Sequence, residues 1–390
     1  MKTYMKKLGL GLSAAAAMGL AGQAAASDIE LPGTIIWAAY PTGTTGYSQA
    51  VGIGNVLQNQ YQSNLRVVPG RNDVSRLEPL RRGRVHFSAG GTESISAQEG
   101  LYDFGVRSWG PTPLRLTMWN ISDSCTFTLV TTADSGIETA DDIKGKRIIR
   151  IHGAAAYNNG TNILLNYAGL TWDDMDVVNV GGYMGGIEAL VDGRTDLMGA
   201  PCNSAPLMRL EGSPRGLRFI QFSHDDQEGL ARVSEVAPWF VPHVATSGPT
   251  IDPEEGIQVF TAPYPMLVTA EDQDESLVYN MTKAIHVHYN DYQGSAPDQE
   301  GWHLDRQGIE DAFMPFHEGT IRYFKEIGVW TEAAQRNHEH NLKRQEVLIN
   351  AWNAYIANAP RNDDEFAQGW MKARAEALKE NGMIVLRETW

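Results

Sequence analysis

The stretch with the most chemistry in it runs Gly33-Thr-Ile-Ile-Trp-Ala-Ala-Tyr-Pro-Thr-Gly-Thr-Thr-Gly-Tyr-Ser-Gln-Ala50. Gly43 and Gly46 let a backbone approach a ligand without a Cβ, and Thr42, Thr44, Thr45 and Ser48 supply hydroxyls. The run Thr34 to Trp37 reads as a strand and a helix opens near Tyr47 and Ser48, so unpaired helix N–H groups would face an anion held in the loop. An ordinary strand-to-helix turn explains this stretch, taken alone, equally well. Arg71, on the turn after a second strand, and Arg150, on a later strand, each carry a planar guanidinium able to grip a carboxylate with two parallel hydrogen bonds. In so acidic a chain, a surface ion pair is the competing explanation for both. Trp37, Tyr40, Tyr157, Tyr183 and Trp239 can cover an apolar ligand body, although aromatic residues in strands more often fill a core.

Catalytic patterns are weaker. His286-Val-His288 and His338-Glu-His340 are close pairs, but on helices residues i and i+2 point to different faces and no third ligand lies near. The chain contains no Gly-x-Ser-x-Gly elbow, phosphate-binding Walker loop or His-Glu-x-x-His. The reading is therefore a binding protein that is not an enzyme, with no catalytic residue, no metal and no cofactor. A periplasmic hydrolase or a ligand sensor is the alternative.

The elements that must position these residues repeat. Strand, polar glycine-bearing loop and helix recur at Gly33–Gln60, at Leu65–Arg82 and at Gly83 to the helix from Ser94. The pattern restarts with the strand Arg147–Ile151, a loop His152–Thr161 and a helix Asn162–Tyr167, then with strands at Val177–Val180 and Thr195–Pro201. In parallel sheets covered by helices such loops gather along one edge, where open α/β sheets bind ligands. From Leu210 to Thr261 the chain lacks clear periodicity and reads as a long covering loop with strand pieces such as Leu217–Phe222; beyond Ile309 two amphipathic helices, Thr331–Asn358 and Asp364–Asn381, are expected.

Met1 to Ala26, with Lys6 and Lys7 ahead of an Ala-rich apolar run and Ala24 and Ala26 before the cut, reads as a cleaved signal peptide, placing the protein in the periplasm. The full chain has a net charge of −15; losing the three lysines of the leader leaves −18, a poor match for nucleic acid. No later stretch has the roughly 20 apolar residues needed to span a bilayer, so direct membrane insertion is not expected. Cys125 and Cys202 are the two cysteines of the chain. In an oxidising compartment they form a disulfide or remain two buried thiols.

Three motif sets resemble the TAXI family, the extracytoplasmic solute receptors of TRAP transporters: Gly33 to Trp37 leading to Pro-Thr-Gly-Thr-Thr-Gly-Tyr47, Asp134-Ser-Gly-Ile137 leading to Asp142-Ile-Lys-Gly-Lys-Arg147, and Gly193-Arg-Thr-Asp196 leading to Gly199-Ala-Pro201. Tyr264-Pro265 with the following Leu267-Val268 is similar to the family's return segment, and the resemblance covers roughly Gly33 to Ala284. It departs from the family in the first loop, in Ala154–Thr161, in the loop after Leu210 and in the longer C-terminal tail.

The resemblance implies a type II periplasmic binding fold of two α/β lobes joined by a hinge. Lobe I would take residues 27–130 plus 265–390 and lobe II residues 131–264, with the crossings near Thr131 and Met266. It implies closure on a small organic acid or amino acid, such as glutamate or 2-oxoglutarate, and delivery to TRAP membrane permease subunits. Carried over residue by residue, the ligand site would draw on Gly43, Thr44, Thr45, Gly46 and Tyr47, on Thr92 and Glu93, on Tyr157, Asn158, Asn159 and Thr161, and on Asn203. Arg71 and Arg150 would be the candidate cations.

Overall fold

The computed structural model describes residues 28–388, so the leader and its cleavage site lie outside the described residues. Strand β1 (Thr34–Ala39) leads through the opening loop to helix α1 (Thr45–Tyr61), whose first turn is capped where Thr44 Oγ1 accepts a hydrogen bond from Tyr47 N. Next come β2 (Asn64–Pro69), α2 (Asp73–Arg81), β3 (Phe87–Gly90), α3 (Glu93–Glu99) and β4 (Leu114–Trp119). Because β1 is flanked by parallel strands on both edges and covered on both faces, Ile35, Trp37, Ala38 and Ala39 are all buried. The chain then crosses to a second lobe.

That lobe holds β5 (Thr128–Thr131), β6 (Arg147–Ile151), α4 (Ala155–Tyr167), β7 (Asp176–Val180), α5 (Tyr183–Val191), β8 (Met198–Ala200), α6 (Leu207–Glu211), β9 (Arg218–Phe219), α7 (Gln227–Val236) and the antiparallel pair β10 (Val241–Ala245) and β11 (Ile257–Thr261). The return strand β12 (Met266–Ala270) re-enters the first sheet. It is followed by α8 (Glu275–Val287), α9 (Tyr289–Tyr292), α10 (Glu318–Glu326), α11 (Glu332–Ile356) and α12 (Asp363–Glu380).

The first sheet has the order β2-β1-β3-β12-β4, with β12 antiparallel to both neighbours. The second lobe repeats this plan. Strand β6 pairs in parallel with β7, and Ile149 N donates to Leu197 O at the entrance to β8. Strand β5 runs antiparallel between β8 and β9. The spatial order is thus β7-β6-β8-β5-β9, two α/β lobes of one topology joined by crossing segments, as the sequence pattern implies. Since β5 belongs to the second sheet, the outward crossing comes before Thr128, a little earlier than the expected boundary at 130. The two crossings are stitched together: Tyr264 N donates to Asn120 O at 2.7 Å and Asn120 N to Pro265 O at 2.9 Å.

Between Leu210 and Thr261 the structure differs from the expected loop. Helix α7 forms there because Asp226 accepts from Gly229 N at its start, and Arg232 donates to the carbonyls of Asn166 and Tyr167 at the end of α4. Cys125 and Cys202 are bonded, with Cα atoms 5.0 Å apart, tying the lead-in of β5 to the segment after β8. The C-terminal helices pack on lobe one. Arg344 and Arg374 both grip the buried Glu99 carboxylate, and Trp370 Nε1 donates to Gly100 O at 2.7 Å.

Candidate functional site

The carboxyl ends of the parallel strands of both lobes face one another across a cavity of about 420 Å³. Lobe one contributes Tyr40 and Pro41 after β1, Arg71 and Asn72 after β2, and Gly91, Thr92 and Glu93 after β3. Lobe two contributes His152, Ala154, Ala156 and Tyr157 after β6, Gly181 to Tyr183 after β7, and Pro201 and Ser204 after β8. Phe127 and Tyr264 come from the crossing segments and Phe240 from the approach to β10. This is where an open α/β sheet is expected to hold a ligand, doubled by the second lobe.

The lobe-one wall is charged. Arg76 lies between two carboxylates: Nε donates to Glu93 Oε1 at 2.8 Å, Nη2 donates to Asp73 Oδ1 at 2.7 Å, and Nη2 also lies 2.7 Å from Glu93 Oε1 as an ion pair. Its guanidinium also sits 4.2 Å from the centroid of the Tyr40 ring. All three charged residues are at most 4% exposed. Burial works against the Arg76 charge, but Glu93, Tyr40 and Asp73 outweigh it and raise the pKa. For Asp73, burial first and the nearby Glu93 second push the pKa up, against Arg76 and the Ala156 N–H. Burial, then Glu93, likewise keeps the Tyr40 hydroxyl protonated.

The lobe-two wall is rich in aromatic rings. Tyr157 packs edge-on against Phe127 with centroids 5.3 Å apart, and its hydroxyl accepts from Gly199 N at 2.8 Å. Tyr183 donates to Ser204 Oγ at 3.0 Å. Burial raises the pKa of both tyrosines, so neither brings a charge.

The lobes touch through a few polar contacts. Asp73 Oδ2 accepts from Ala156 N at 2.7 Å, so a lobe-one carboxylate caps the first turn of α4. Asp103 meets the neighbouring Ala155 N–H. Thr45 Oγ1 donates to Asn203 O at 2.7 Å, and Asn203 Nδ2 donates to Asp298 Oδ1 at 2.9 Å. Burial pushes the Asp298 carboxyl up to about 7, against the Asn203 hydrogen bond. Arg387 Nη2 and Tyr102 OH both donate to Asn159 Oδ1.

Of the residues expected at the site, Thr44, Thr45, Arg71, Thr92, Glu93 and Tyr157 line the cavity. The others are placed differently. Gly43, with a φ of 86°, serves the turn, and Gly46 serves packing, since a Cβ there would lie 2.7 Å from the Tyr40 ring. Tyr47 sits in the first turn of α1, where its N–H donates to the Thr44 cap. Asn158, Asn159 and Thr161 are helical rather than in a loop, because α4 begins at Ala155, seven residues earlier than expected. Asn158 pairs through its amide with both backbone groups of Ile151, and Thr161 is buried with its hydroxyl on Tyr157 O. Asn203 is a clasp between lobes. Arg150, between buried Ile149 and Ile151 on β6, points to the other face, over the Trp172 ring in a separate groove shared with Asn158, Asn159 and Arg387. Asp73 and Arg76 were not expected; an Asp and an Arg three apart at a helix start was the available signal.

The histidines of the first pair have structural partners. His286 Nδ1 lies 2.6 Å from Tyr323 OH, and His288 lies between Tyr61 OH and Asp291, 2.6 Å from each. Among the described residues no group of three or more His, Cys, Asp or Glu is placed to hold a metal, and no helix is long and apolar enough to cross a membrane.

Fold and site define a two-lobed α/β protein with a polar and aromatic cavity between its lobes. The chain belongs to the NMT1-like family, whose model matches residues 38–328. Among curated proteins none matches it. Solved structures similar to it are periplasmic binding proteins of low identity. The alkanesulfonate-binding protein SsuA from Xanthomonas axonopodis pv. citri, bound to MOPS, is 13% identical over 92% of this chain and 96% of its own, with a TM-score of 0.44. The periplasmic aliphatic sulphonate binding protein SsuA from Escherichia coli is 13% identical over 92% of both chains, with a TM-score of 0.44. Arginine-bound ArgBP from T. maritima is 12% identical over 65% of this chain and 94% of its own, with a TM-score of 0.39.

Proposed function

We propose that this protein is the extracytoplasmic solute receptor of a TAXI-type TRAP transporter, which captures a small organic carboxylate in the periplasm and hands it to membrane permease subunits. The observation that carries this reading is the cavity of about 420 Å³, with walls supplied by matching strand ends of both lobes. At its lobe-one edge stands Arg71, exposed and without an ion pair among the described residues, as a cation for the carboxylate. A ligand touching both walls favours the closed arrangement by its differential affinity, so closure needs no bond to be made or broken.

A thermal-shift screen of organic acids and amino acids, followed by calorimetry, tests capture. A true ligand at 100 times its Kd stabilises the fold by about 2.7 kcal/mol. Arg71→Ala should weaken carboxylate binding about tenfold, in the range of a lost charge-assisted hydrogen bond; unchanged affinity removes Arg71 from the site. Uptake into vesicles bearing TRAP permease subunits should require the protein. Uptake that instead depends on an ATP-hydrolysing partner sinks the TRAP assignment and leaves solute capture standing.

A further inference from the structure

We infer that the ligand is a zwitterion with an apolar side chain, whose protonated amine is taken by Glu93 while Arg71 takes its carboxylate. This rests on the solute-capture reading of the same cavity. The charge pattern of lobe one points to it. Two buried carboxylates, Asp73 and Glu93, share the single guanidinium of Arg76, which leaves one negative charge without a cation of its own. The oxygens are not equivalent. Asp73 uses both of its own, one on Arg76 and one on Ala156 N. Glu93 uses Oε1 for Arg76 and Tyr40, while Oε2 accepts no hydrogen bond among the described residues.

Glu93 is 2% exposed and lines the cavity, so bulk water does not solvate that oxygen freely. Beside it the backbone packs closely: a Cβ on Gly91, itself part of the wall, would come within 3.0 Å of Glu93 Oε2 and 2.7 Å of Tyr40 OH, so glycine lets the wall close over this carboxylate. A desolvated, half-satisfied carboxylate in the cavity wall suits a cationic hydrogen-bond donor and repels an anion.

A second carboxylate on the ligand finds no free guanidinium. Arg76 is already engaged by two acids, Arg150 faces another groove, and the first turn of α4 is capped by Asp73. Beside polar groups that include His152, Thr92 and Ser204, the wall carries the rings of Phe127, Tyr157, Tyr183, Phe240 and Tyr264, which suit an apolar body. A dicarboxylate would bury its second charge beside these rings without a guanidinium partner.

Matched compounds test this by calorimetry on the intact protein at pH 7.5: phenylalanine, phenylpyruvate and phenethylamine; leucine, 2-oxoisocaproate and isoamylamine; glutamate and 2-oxoglutarate. In at least one apolar set the amino acid should bind about tenfold or more tighter than both its oxo acid and its amine, and tighter than glutamate. Glu93→Gln should shrink the preference over the oxo acid to about threefold or less, and Arg71→Ala the preference over the amine. Should the Gln variant fail to fold, the comparison on the unaltered protein decides alone. An oxo acid or 2-oxoglutarate as the tightest ligand overturns the inference and leaves carboxylate capture standing. An amine as the tightest ligand overturns both the zwitterion and the carboxylate reading. No response to any of the eight compounds overturns the inference, and capture then stands or falls by the wider screen.

Discussion

Glu93 and Glu99 bound one seven-residue helix, and both are buried against arginine, yet the two clusters are mirror images in charge. At Glu99 one carboxylate meets two guanidinia, from Arg344 and Arg374 of the C-terminal helices, and both of its oxygens are used. Burial alone would raise its pKa, but Arg374 and Arg344 together hold it below the usual carboxylate range. At Glu93 one guanidinium serves two carboxylates, and one oxygen is left over beside the cavity. A closed cluster with no spare acceptor fastens the C-terminal helices to lobe one. An open cluster with a spare acceptor costs stability and leaves something for a ligand to complete.

The largest effect should separate the two glutamates. Glu99→Ala strands two buried arginines and is expected to destabilise the protein by about 3–5 kcal/mol, read by chemical denaturation. Glu93→Gln leaves Arg76 with Asp73 as a neutralised pair, so its stability cost should stay near 1 kcal/mol while ligand affinity falls. Equal losses at the two positions would break the distinction between fastening and ligand-binding clusters.

Arg76→Met comes next. It leaves Asp73 and Glu93 facing each other without their cation, at an expected cost of about 2–3 kcal/mol at pH 7.5. The Asp73 pKa is already raised, and losing Arg76 raises it further. The folded variant then holds protons that the unfolded chain releases, so its stability should recover as pH falls toward 5. A deficit that does not shrink with acidification would show that packing, not charge, sets the loss.

The smallest effect belongs to the Asp298 clasp, away from both clusters. Its pKa moves from 3.8 to about 7 on folding, so between those values the folded protein binds the extra proton and stability falls as pH rises. The slope from this group is at most about 1.4 kcal/mol per pH unit. Asp298→Asn keeps a partner for Asn203 and tolerates the left-handed backbone there, where φ is 60°. It should lie within about 1 kcal/mol of the parent at pH 5 and flatten the slope above it. A slope unchanged in this variant would assign the pH dependence to other carboxylates at the lobe contact.

Local pattern carried much of the fold. The β-branched runs, the glycine-bearing strand ends and the two C-terminal helices are all properties of short stretches, and each forms close to where its own residues place it. Their recurrence in two series was enough to expect two lobes and a cavity at the strand ends. Of the residues that line the cavity, Thr44, Thr45 and Arg71 were legible because they follow directly from strand ends, and Thr92 and Glu93 through the family resemblance.

The sequence by itself thus determined the units and the edge at which they meet. Only the tertiary structure decided which polar groups share that edge. Arg76 and Glu93 lie 17 residues apart in different units, and Asp73 meets Ala156 across 83 residues and the gap between lobes; no local periodicity records either pairing. Arg150 was lost to the other face through strand alternation, and Asn158 and Asn159 through the early start of α4, which turned an expected loop into helix. Burial settles the rest, since a charge out of water takes whatever partner the packed chain brings near it.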